Sequence, residues 1–153
     1  MAVDGTIGDR YSFRMRIRGF RPEDGESVVA LWTACALVRP WNDPWLDIER
    51  KMADSPWGFL VAEESAAIIG TVMAGYDGHR GWINYLACLP SRRRQGVGSA
   101  LMSHAAELLR EKGCPKINLQ VREGNEAALN FYASLGYLHE QVASLGLRLR
   151  QDG

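Results

Sequence analysis

Several hallmarks of other protein classes are missing from this chain of 153 residues. It has no excess of charge, because 18 basic residues balance 18 acidic ones. This balance argues against a dedicated nucleic-acid or membrane-surface binder, whose affinity would come from a basic surface. No apolar run approaches the roughly 20 residues that cross a bilayer, and the first dozen residues lack the apolar stretch of a signal peptide.

Cysteine and histidine are sparse and scattered. Cys35, Cys88 and Cys114 form an odd set without a C-x-x-C spacing, which disfavours a disulfide framework and a zinc site. None of the three histidines has metal-ligand spacing with a partner. We therefore expect a reduced, cytoplasmic protein that holds no metal.

The residues that are present indicate one ordinary globular domain. Hydrophobic residues make up 46% of the chain and charged residues 24%, which is enough for a buried core. We expect residues 1–12 to form a flexible N-terminus and residues 13–150 to form a single domain. No linker, internal repeat or low-complexity segment divides it.

Hydrophobic periodicity predicts the element order β-α-α-β-β-β-α-β-α-β. Strands joined by short turns should pair antiparallel, and strands joined across a helix should pair in parallel. The predicted fold is therefore α/β (α+β), a mixed central sheet with helices on both faces. The predicted helices span 22–35, 46–53, 97–112 and 125–135, and the predicted strands span 13–18, 58–63, 67–76, 82–89, 117–122 and 137–149.

The segment 92–98 carries the clearest chemical signal, because it joins a predicted strand to the longest predicted helix. Its three arginines and two glycines, followed by a helix N-terminus, are typical of an anion site. A diphosphate fits such a site. The segment matches neither the Walker phosphate-binding pattern nor the dinucleotide pattern Gly-x-Gly-x-x-Gly. An arginine-rich solvated loop is the alternative.

Within this segment, Arg93-x-x-Gly96-x-Gly98 resembles the Arg/Gln-x-x-Gly-x-Gly/Ala signature of the GNAT superfamily of N-acetyltransferases. A second signature of that family is similar to the later segment that contains Asn125, Ala128, Phe131, Tyr132, Gly136 and Tyr137. The segments 39–44 and 75–81 further resemble the bacterial YpeA-like subgroup. The resemblance covers residues 13–149 and implies the GNAT fold.

The resemblance also implies which residues bind acetyl-CoA. Strand backbone would run beside the pantetheine arm, loop amides would hold the pyrophosphate, and two later side chains would lie near the cofactor. The strand residues are Leu86, Ala87 and Cys88. The loop residues are Arg93, Arg94, Gln95, Gly96, Val97, Gly98 and Ser99. The two later side chains are those of Asn125 and Phe131. Tyr132 would act as the general acid that protonates the leaving thiolate.

One departure from the family pattern concerns the general base. Many members carry a carboxylate on the central strand, but segment 82–85 contains none. Asp77, His79 or Glu123 could serve instead, or the amine could arrive already neutral. The segment between the first two helices could anchor that loop or form an acceptor pocket, where Asp43, Asp47 and Glu49 would favour a cationic amine.

Two functions from different classes are consistent with these observations. The first is an acetyl-CoA-dependent N-acetyltransferase that acts on a primary amine of a small molecule or peptide by direct attack in a ternary complex. The second is a non-catalytic domain of the same fold that binds or senses acyl-CoA. We expect no nucleic-acid or membrane partner, and a homodimer is possible. Neither the acceptor nor the use of longer acyl groups follows from the sequence.

Overall fold

A computed structural model describes residues 15–152 of the chain. Phe13 of the predicted first strand and the predicted flexible segment 1–12 lie outside the described residues. The strands are β1 (Met15–Gly19), β2 (Phe59–Glu64), β3 (Ala67–Tyr76), β4 (Gly81–Cys88) and β5 (Ile117–Leu119). The helices are α1 (Gly25–Ala34), α2 (Pro44–Asp54), α3 (Val97–Glu111) and α4 (Glu126–Ser134).

The strands form one mixed sheet in the order β1-β2-β3-β4-β5. The first four strands pair antiparallel, whereas β4 and β5 pair in parallel across α3. Because β1 and β2 are joined across α1 and α2 and still pair antiparallel, the prediction that strands joined across a helix pair in parallel is wrong for that pair. Strand β5 pairs only with Gly81, Trp82 and Ile83 of β4. From Asn84 onward, the edge of β4 that faces β5 therefore has no partner strand within the described residues.

Helices cover both faces of the sheet, as predicted. The core on one face is built around α3, and the core on the other face around α1 and α2. Gly70 of β3 allows α3 to approach closely, because a Cβ atom there would lie 2.8 Å from Val97 Cγ1 and 2.9 Å from Leu101 Cδ1. The predicted fold class is confirmed.

Local signals explain where the helices begin and end. Helix α2 starts two residues before the predicted range, because the Asp43 carboxylate accepts hydrogen bonds from the Trp45 and Leu46 amides and Pro44 occupies the first turn. Helix α3 ends before Gly113, whose φ of +81° suits the residue that follows a helix. The first predicted helix begins as a 3-10 turn at Pro22–Asp24 and becomes α-helical at Gly25.

The predicted last strand, 137–149, is wrong, because these residues form no backbone ladder. We call residues 138–152 the C-terminal segment. Its side chains contact β5 and the residues around it, since Glu140 binds Lys116 and Asn118, and Ser144 binds Gln120. Its large apolar side chains are 80–93% exposed, namely Leu138, Val142, Leu145, Leu147 and Leu149. Alternating apolar residues thus lack the neighbouring strand that would bury them.

Two structural observations concern membranes and metals. Within residues 15–152, no helix is both long and apolar enough to cross a bilayer. In the same part of the chain, no three His, Cys, Asp or Glu side chains are grouped where they could hold a metal ion.

Candidate functional site

The central feature of the site is the opening between β4 and β5. Because β5 separates from β4 after Ile83, backbone groups of Leu86, Ala87 and Cys88 border this opening. Leu86 and Cys88 pack against the core beneath α3, whereas Ala87 belongs to the core beneath α1. Burial raises the pKa of the Cys88 thiol, which fits a packing role better than that of a nucleophile.

A β-bulge interrupts β4 just before this opening. Thr71 pairs with Ala87 and Met73 pairs with Asn84, so both Tyr85 and Leu86 lie opposite a single residue of β3. The bulge residue Tyr85 has a φ of +50°, in the left-handed region that non-glycine residues seldom occupy. The alternation of side chains along β4 therefore shifts by one residue at Tyr85.

The predicted anion site lies at the start of α3. Arg94 has a φ of +64° and Gly96, the N-cap of α3, has a φ of +83°. Left-handed residues beside right-handed ones turn successive N–H groups towards one concave side, which is an anion-binding geometry. Arg92 forms an ion pair with Glu64 at 3.0 Å. The neighbouring predicted cofactor residues are solvent-exposed, namely Arg93, Arg94, Gln95, Gly96 and Ser99.

Helix α4 is adjacent to this loop. A Cβ atom on Gly98 would lie 3.2 Å from the Phe131 ring, so the glycine lets α4 pack against the first turn of α3. Val97 is buried beneath the same turn. Asn125 caps α4, because its Oδ1 accepts a hydrogen bond from the Ala128 amide at 3.1 Å. The structure thus gives Gly98, Phe131 and Asn125 structural contacts in addition to their predicted cofactor roles.

Tyr132 lies in an aromatic cluster on α4. Its ring meets those of Phe131 and Tyr137 edge-on, with centroids 5.1 Å and 5.7 Å apart. Burial, with a smaller effect of Tyr137, raises the pKa of Tyr132 to about 12. The phenol is therefore protonated at neutral pH, which is the state that a general acid requires.

A groove of about 390 Å³ lies on the α2 side of the sheet and ends beside the bulge. It is lined by Arg50, Lys51 and Asp54 of α2 and by Met73, Gly75, Tyr76, Asp77, Trp82 and Asn84 of the sheet. The two cations of the groove have internal partners. Arg50 binds Asp47 and Asp152, and Lys51 donates to Ser55 and to the Ala74 carbonyl. Burial lowers the pKa of Lys51.

The three candidate bases lie in different places. The Asp77 carboxylate caps its own turn, since it accepts hydrogen bonds from the amides of His79 and Arg80 and from the Trp82 indole. These bonds lower the pKa of Asp77, so it binds a proton poorly. Asp77 and His79 precede β4, and Leu86 lies five positions along the strand from Gly81, or about 16 Å away. Glu123 is exposed before α4. Asp77 and His79 therefore lie near the end of β4 that is remote from Leu86.

The residues that could anchor the loop between the first two helices or form an acceptor pocket lie in that loop and in the first turns of α2. Trp45 is 49% exposed, yet its ring packs on Gly25, where a Cβ atom would lie 2.7 Å from the indole. Trp41 is 44% exposed. Asp43 caps α2, and Glu49 is exposed. Of the predicted acidic residues, only Asp47 reaches β4, where its Oδ2 accepts a hydrogen bond from Tyr85 Oη at 2.6 Å.

Sequence reasoning missed the side chains around the bulge. The Trp32 ring stacks on Tyr85 with centroids 3.8 Å apart, and the Thr71 hydroxyl donates to the Tyr85 carbonyl at 2.9 Å. The one available signal was Thr71 itself, a lone hydroxyl within the apolar run of β3. Nothing in the sequence connects it with Trp32, which is 39 residues away.

The comparisons with known proteins agree with this architecture. The model of the acetyltransferase (GNAT) family matches residues 26–137, well over half of the chain. The matched range runs from α1 through Tyr137 and includes the β4–β5 opening, the loop before α3, and α4. The chain belongs to the GNAT acetyltransferase family. Its narrower resemblance to the YpeA-like subgroup stays a prediction.

Solved GNAT acetyltransferases share the fold. Ard1 from Thermoplasma volcanium is 30% identical, with a TM-score of 0.74 over 82% of this chain and 83% of that one. An aminoglycoside acetyltransferase from an uncultured soil metagenomic sample is 21% identical, with a TM-score of 0.72 over 90% and 98%. Naa20 from Chaetomium thermophilum, solved with a bisubstrate analogue, is 26% identical, with a TM-score of 0.63 over 78% and 69%.

Proposed function

We propose that this GNAT protein is an N-acetyltransferase that transfers the acetyl group of acetyl-CoA to a primary amine by direct attack in a ternary complex. The observation that carries the proposal is the arrangement around β4. An unpaired strand edge, a left-handed loop at a helix N-terminus, and a protonated buried tyrosine belong to adjoining elements on one side of the sheet.

The residues present fit acetyl-CoA. The free edge of β4 offers backbone groups of Leu86, Ala87 and Cys88 to the amides of a pantetheine arm. The loop and first turn of α3 offer amides to a diphosphate, namely those of Arg93, Arg94, Gln95, Gly96, Val97, Gly98 and Ser99. The exposed guanidinium groups of Arg93 and Arg94 add positive charge there. The Asn125 amide nitrogen and the Phe131 ring extend the same surface from α4.

Acetyl-CoA, when bound, supplies an acetyl thioester that is activated towards attack by an amine. The chain's part is to align the reactants, polarise the carbonyl and move protons. A backbone N–H of Leu86 or Ala87 would donate to the carbonyl oxygen at the bulge. Tyr132 Oη would give its proton to the departing sulfur, and its raised pKa keeps the phenol protonated until then. Solvent would take the proton that the attacking amine loses and return one to Tyr132.

The groove on the α2 side is the proposed entrance for the amine. Asn84, the residue directly before the bulge, lines the groove, and Trp82 provides an aromatic wall. The Asp54 carboxylate on the opposite wall favours a cationic amine. Because Asp77 is already hydrogen-bonded within its turn, we assign it to holding Trp82 and not to proton transfer.

Thermal unfolding with added ligands tests the cofactor. Acetyl-CoA or CoA at about 100 times its dissociation constant should raise the Tm by about 5–10 °C, since it adds about 2.7 kcal/mol to the free energy of unfolding. ATP and NAD at the same concentration should raise it far less. The absence of a rise with both CoA species would contradict the proposed site. Binding without acetylation of any primary amine would favour an acyl-CoA sensor.

The substitution Tyr132→Phe tests the acid role. We expect kcat to fall by about 10²–10⁴-fold, measured on an amine from a screen of polyamines, amino acids and lysine peptides, with unchanged acetyl-CoA affinity. Because the pKa of Tyr132 is about 12, the wild type should show no loss of rate from this group below pH 10. Tyr137→Phe is the control, since it removes the neighbouring phenol. Equal rates for Tyr132→Phe and the wild type would remove the assignment.

A further inference from the structure

The starting point is the strained backbone at Tyr85. Among the described residues, five non-glycine residues have positive φ, and Tyr85 is the one that lies inside a β-strand. Such a conformation is unfavourable for a non-glycine residue and persists only where the surroundings enforce it. The side chains around Tyr85 must therefore supply that constraint.

Three independent contacts hold Tyr85. Its carbonyl accepts a hydrogen bond from the Thr71 hydroxyl at 2.9 Å. Its ring lies on the Trp32 indole, with centroids 3.8 Å apart and planes inclined by 17°. Its own hydroxyl donates to Asp47 Oδ2 at 2.6 Å. Backbone, ring and hydroxyl are thus each fixed by a different element of the fold.

The direction of the Thr71 hydrogen bond is also determined. Trp32 Nε1 can only donate, and it donates to Thr71 Oγ1 at 2.9 Å. The hydroxyl proton of Thr71 is therefore free to point at the Tyr85 carbonyl. Thr71 and Trp32 are both 0% exposed, so no water can replace either bond. The Thr71 hydroxyl thus gives the Tyr85 carbonyl a hydrogen-bond donor, which a regular strand pair would supply and the bulge does not.

We propose that Thr71, Trp32 and Asp47 are positioning residues that hold Tyr85 in the bulge and thereby aim the backbone amide of Leu86 or Ala87 at the acetyl carbonyl. This inference rests on the proposed function. Its physical basis is that successive residues of a strand point to alternate sides. Without the bulge, the residues after Asn84 would shift by one position against β3, and the Leu86 and Ala87 amides would each point to the other edge of β4. Asp47 also belongs to α2, so its bond with Tyr85 ties the helix that borders the groove to the cofactor-facing strand.

The test compares Thr71→Val, which removes the hydroxyl at nearly constant shape, with Thr71→Ser, which retains it. The first readout uses the free protein and needs no cofactor. Backbone chemical shifts measured by NMR at Tyr85, Leu86 and Ala87 report whether the left-handed conformation persists. We expect it to be lost in Thr71→Val and kept in Thr71→Ser.

The second readout is the infrared carbonyl band of [1-¹³C]acetyl-CoA bound to each variant. In the wild type, a donated hydrogen bond should lower the stretching frequency relative to free acetyl-CoA. Thr71→Val should return the band towards the free value while acetyl-CoA affinity stays within about twofold, and kcat should fall about 10²-fold, the loss that a misplacement of about 1 Å can cause. Thr71→Ser should restore the lowered carbonyl frequency and the wild-type kcat.

The outcomes of these experiments either support or contradict the positioning role. If the NMR shifts at Tyr85 and the infrared band of Thr71→Val match those of the wild type, the positioning role is wrong. If Thr71→Val fails to fold, Tyr85→Phe decides, because it removes only the bond to Asp47 and should move both readouts in the same direction, whereas unchanged readouts would overturn the inference. If the wild type itself does not bind acetyl-CoA, the proposed function fails, and the NMR comparison still tests the bulge.

Discussion

Two regions of the molecule contain the same types of residue in opposite surroundings. One is the interface between α3 and the sheet, and the other is the C-terminal segment. Leu101 on α3 is 0% exposed, whereas Leu145 in the C-terminal segment is 93% exposed. Gly70 faces two side chains of α3 within 3 Å of where its Cβ would be, while Gly146 has no atom within 4 Å of that position. Both regions show regular apolar spacing in the sequence.

The comparison shows that regularly spaced apolar residues stabilise a structure only when a second element covers them. Helix α3 places its apolar face on β3 and β4, so Leu101 and Leu109 lose almost all contact with water. The C-terminal segment is hydrogen-bonded to the body of the protein through polar side chains such as Glu140, Arg148 and Asp152. Three predictions, in order of expected size, would sharpen or break this contrast.

The largest difference is expected between two identical substitutions. Leu101→Ala should lower the free energy of unfolding by about 2–5 kcal/mol, because it leaves a cavity in a packed core. Leu145→Ala should change it by less than about 0.5 kcal/mol, because its side chain is already in water. Urea unfolding followed by circular dichroism measures both. A loss of several kcal/mol in Leu145→Ala would show that the C-terminal segment is buried in solution.

An intermediate effect is expected from adding one methyl group at each glycine. Gly70→Ala should destabilise the protein by about 1–3 kcal/mol, because the new Cβ would also lie 3.0 Å from the Ala87 carbonyl oxygen. Gly146→Ala should be neutral or stabilise by up to about 1 kcal/mol, because it restricts the unfolded chain. The same unfolding assay applies. Equal effects at the two sites would contradict the packing of α3 against β3.

The smallest effect concerns the ion pair that fastens the C-terminal segment to α2. Hydrogen bonds from Arg50 and from the Asp43 amide lower the pKa of Asp152 from 3.8 to about 2. A lowered acid pKa stabilises the fold above the unfolded value and loses that contribution as the pH falls towards 2. Asp152→Asn should therefore lower the Tm slightly at pH 7, and the difference should shrink as the pH falls from 4 to 2.

Glu107→Gln is the matched control for this ion pair. Glu107 binds Arg110 on the exposed side of α3, where both side chains are more than 60% exposed, whereas the Asp152 side chain is 4% exposed. Glu107→Gln should leave the Tm within error at every pH, since exposed pairs contribute little. A difference between Asp152→Asn and the wild type that does not change with pH would exclude the ionised carboxylate as its cause.

Much of the fold was predictable because its signals are local. The capping residue Asn125, the breaks at Gly113 and Gly136, and the apolar runs of β3 and β4 with the turns that bound them depend on neighbours within a few positions. The loop before α3 was predictable for the same reason, since its glycine and the following helix are adjacent in sequence. The last strand was not predictable, because alternation in 137–149 indicates only that a strand would be amphipathic, and not that a partner strand exists.

The sequence by itself determined the family, the order of nine of the ten predicted elements, and the segments that border the β4–β5 opening. Only the tertiary structure decided the register of β4. Thr71, Trp32, Asp47 and Tyr85 lie far apart along the chain, and their contacts exist because α1 and α2 fold onto the same face of the sheet. A bulge is the insertion of one residue against a partner strand, so it has no meaning until two strands pair.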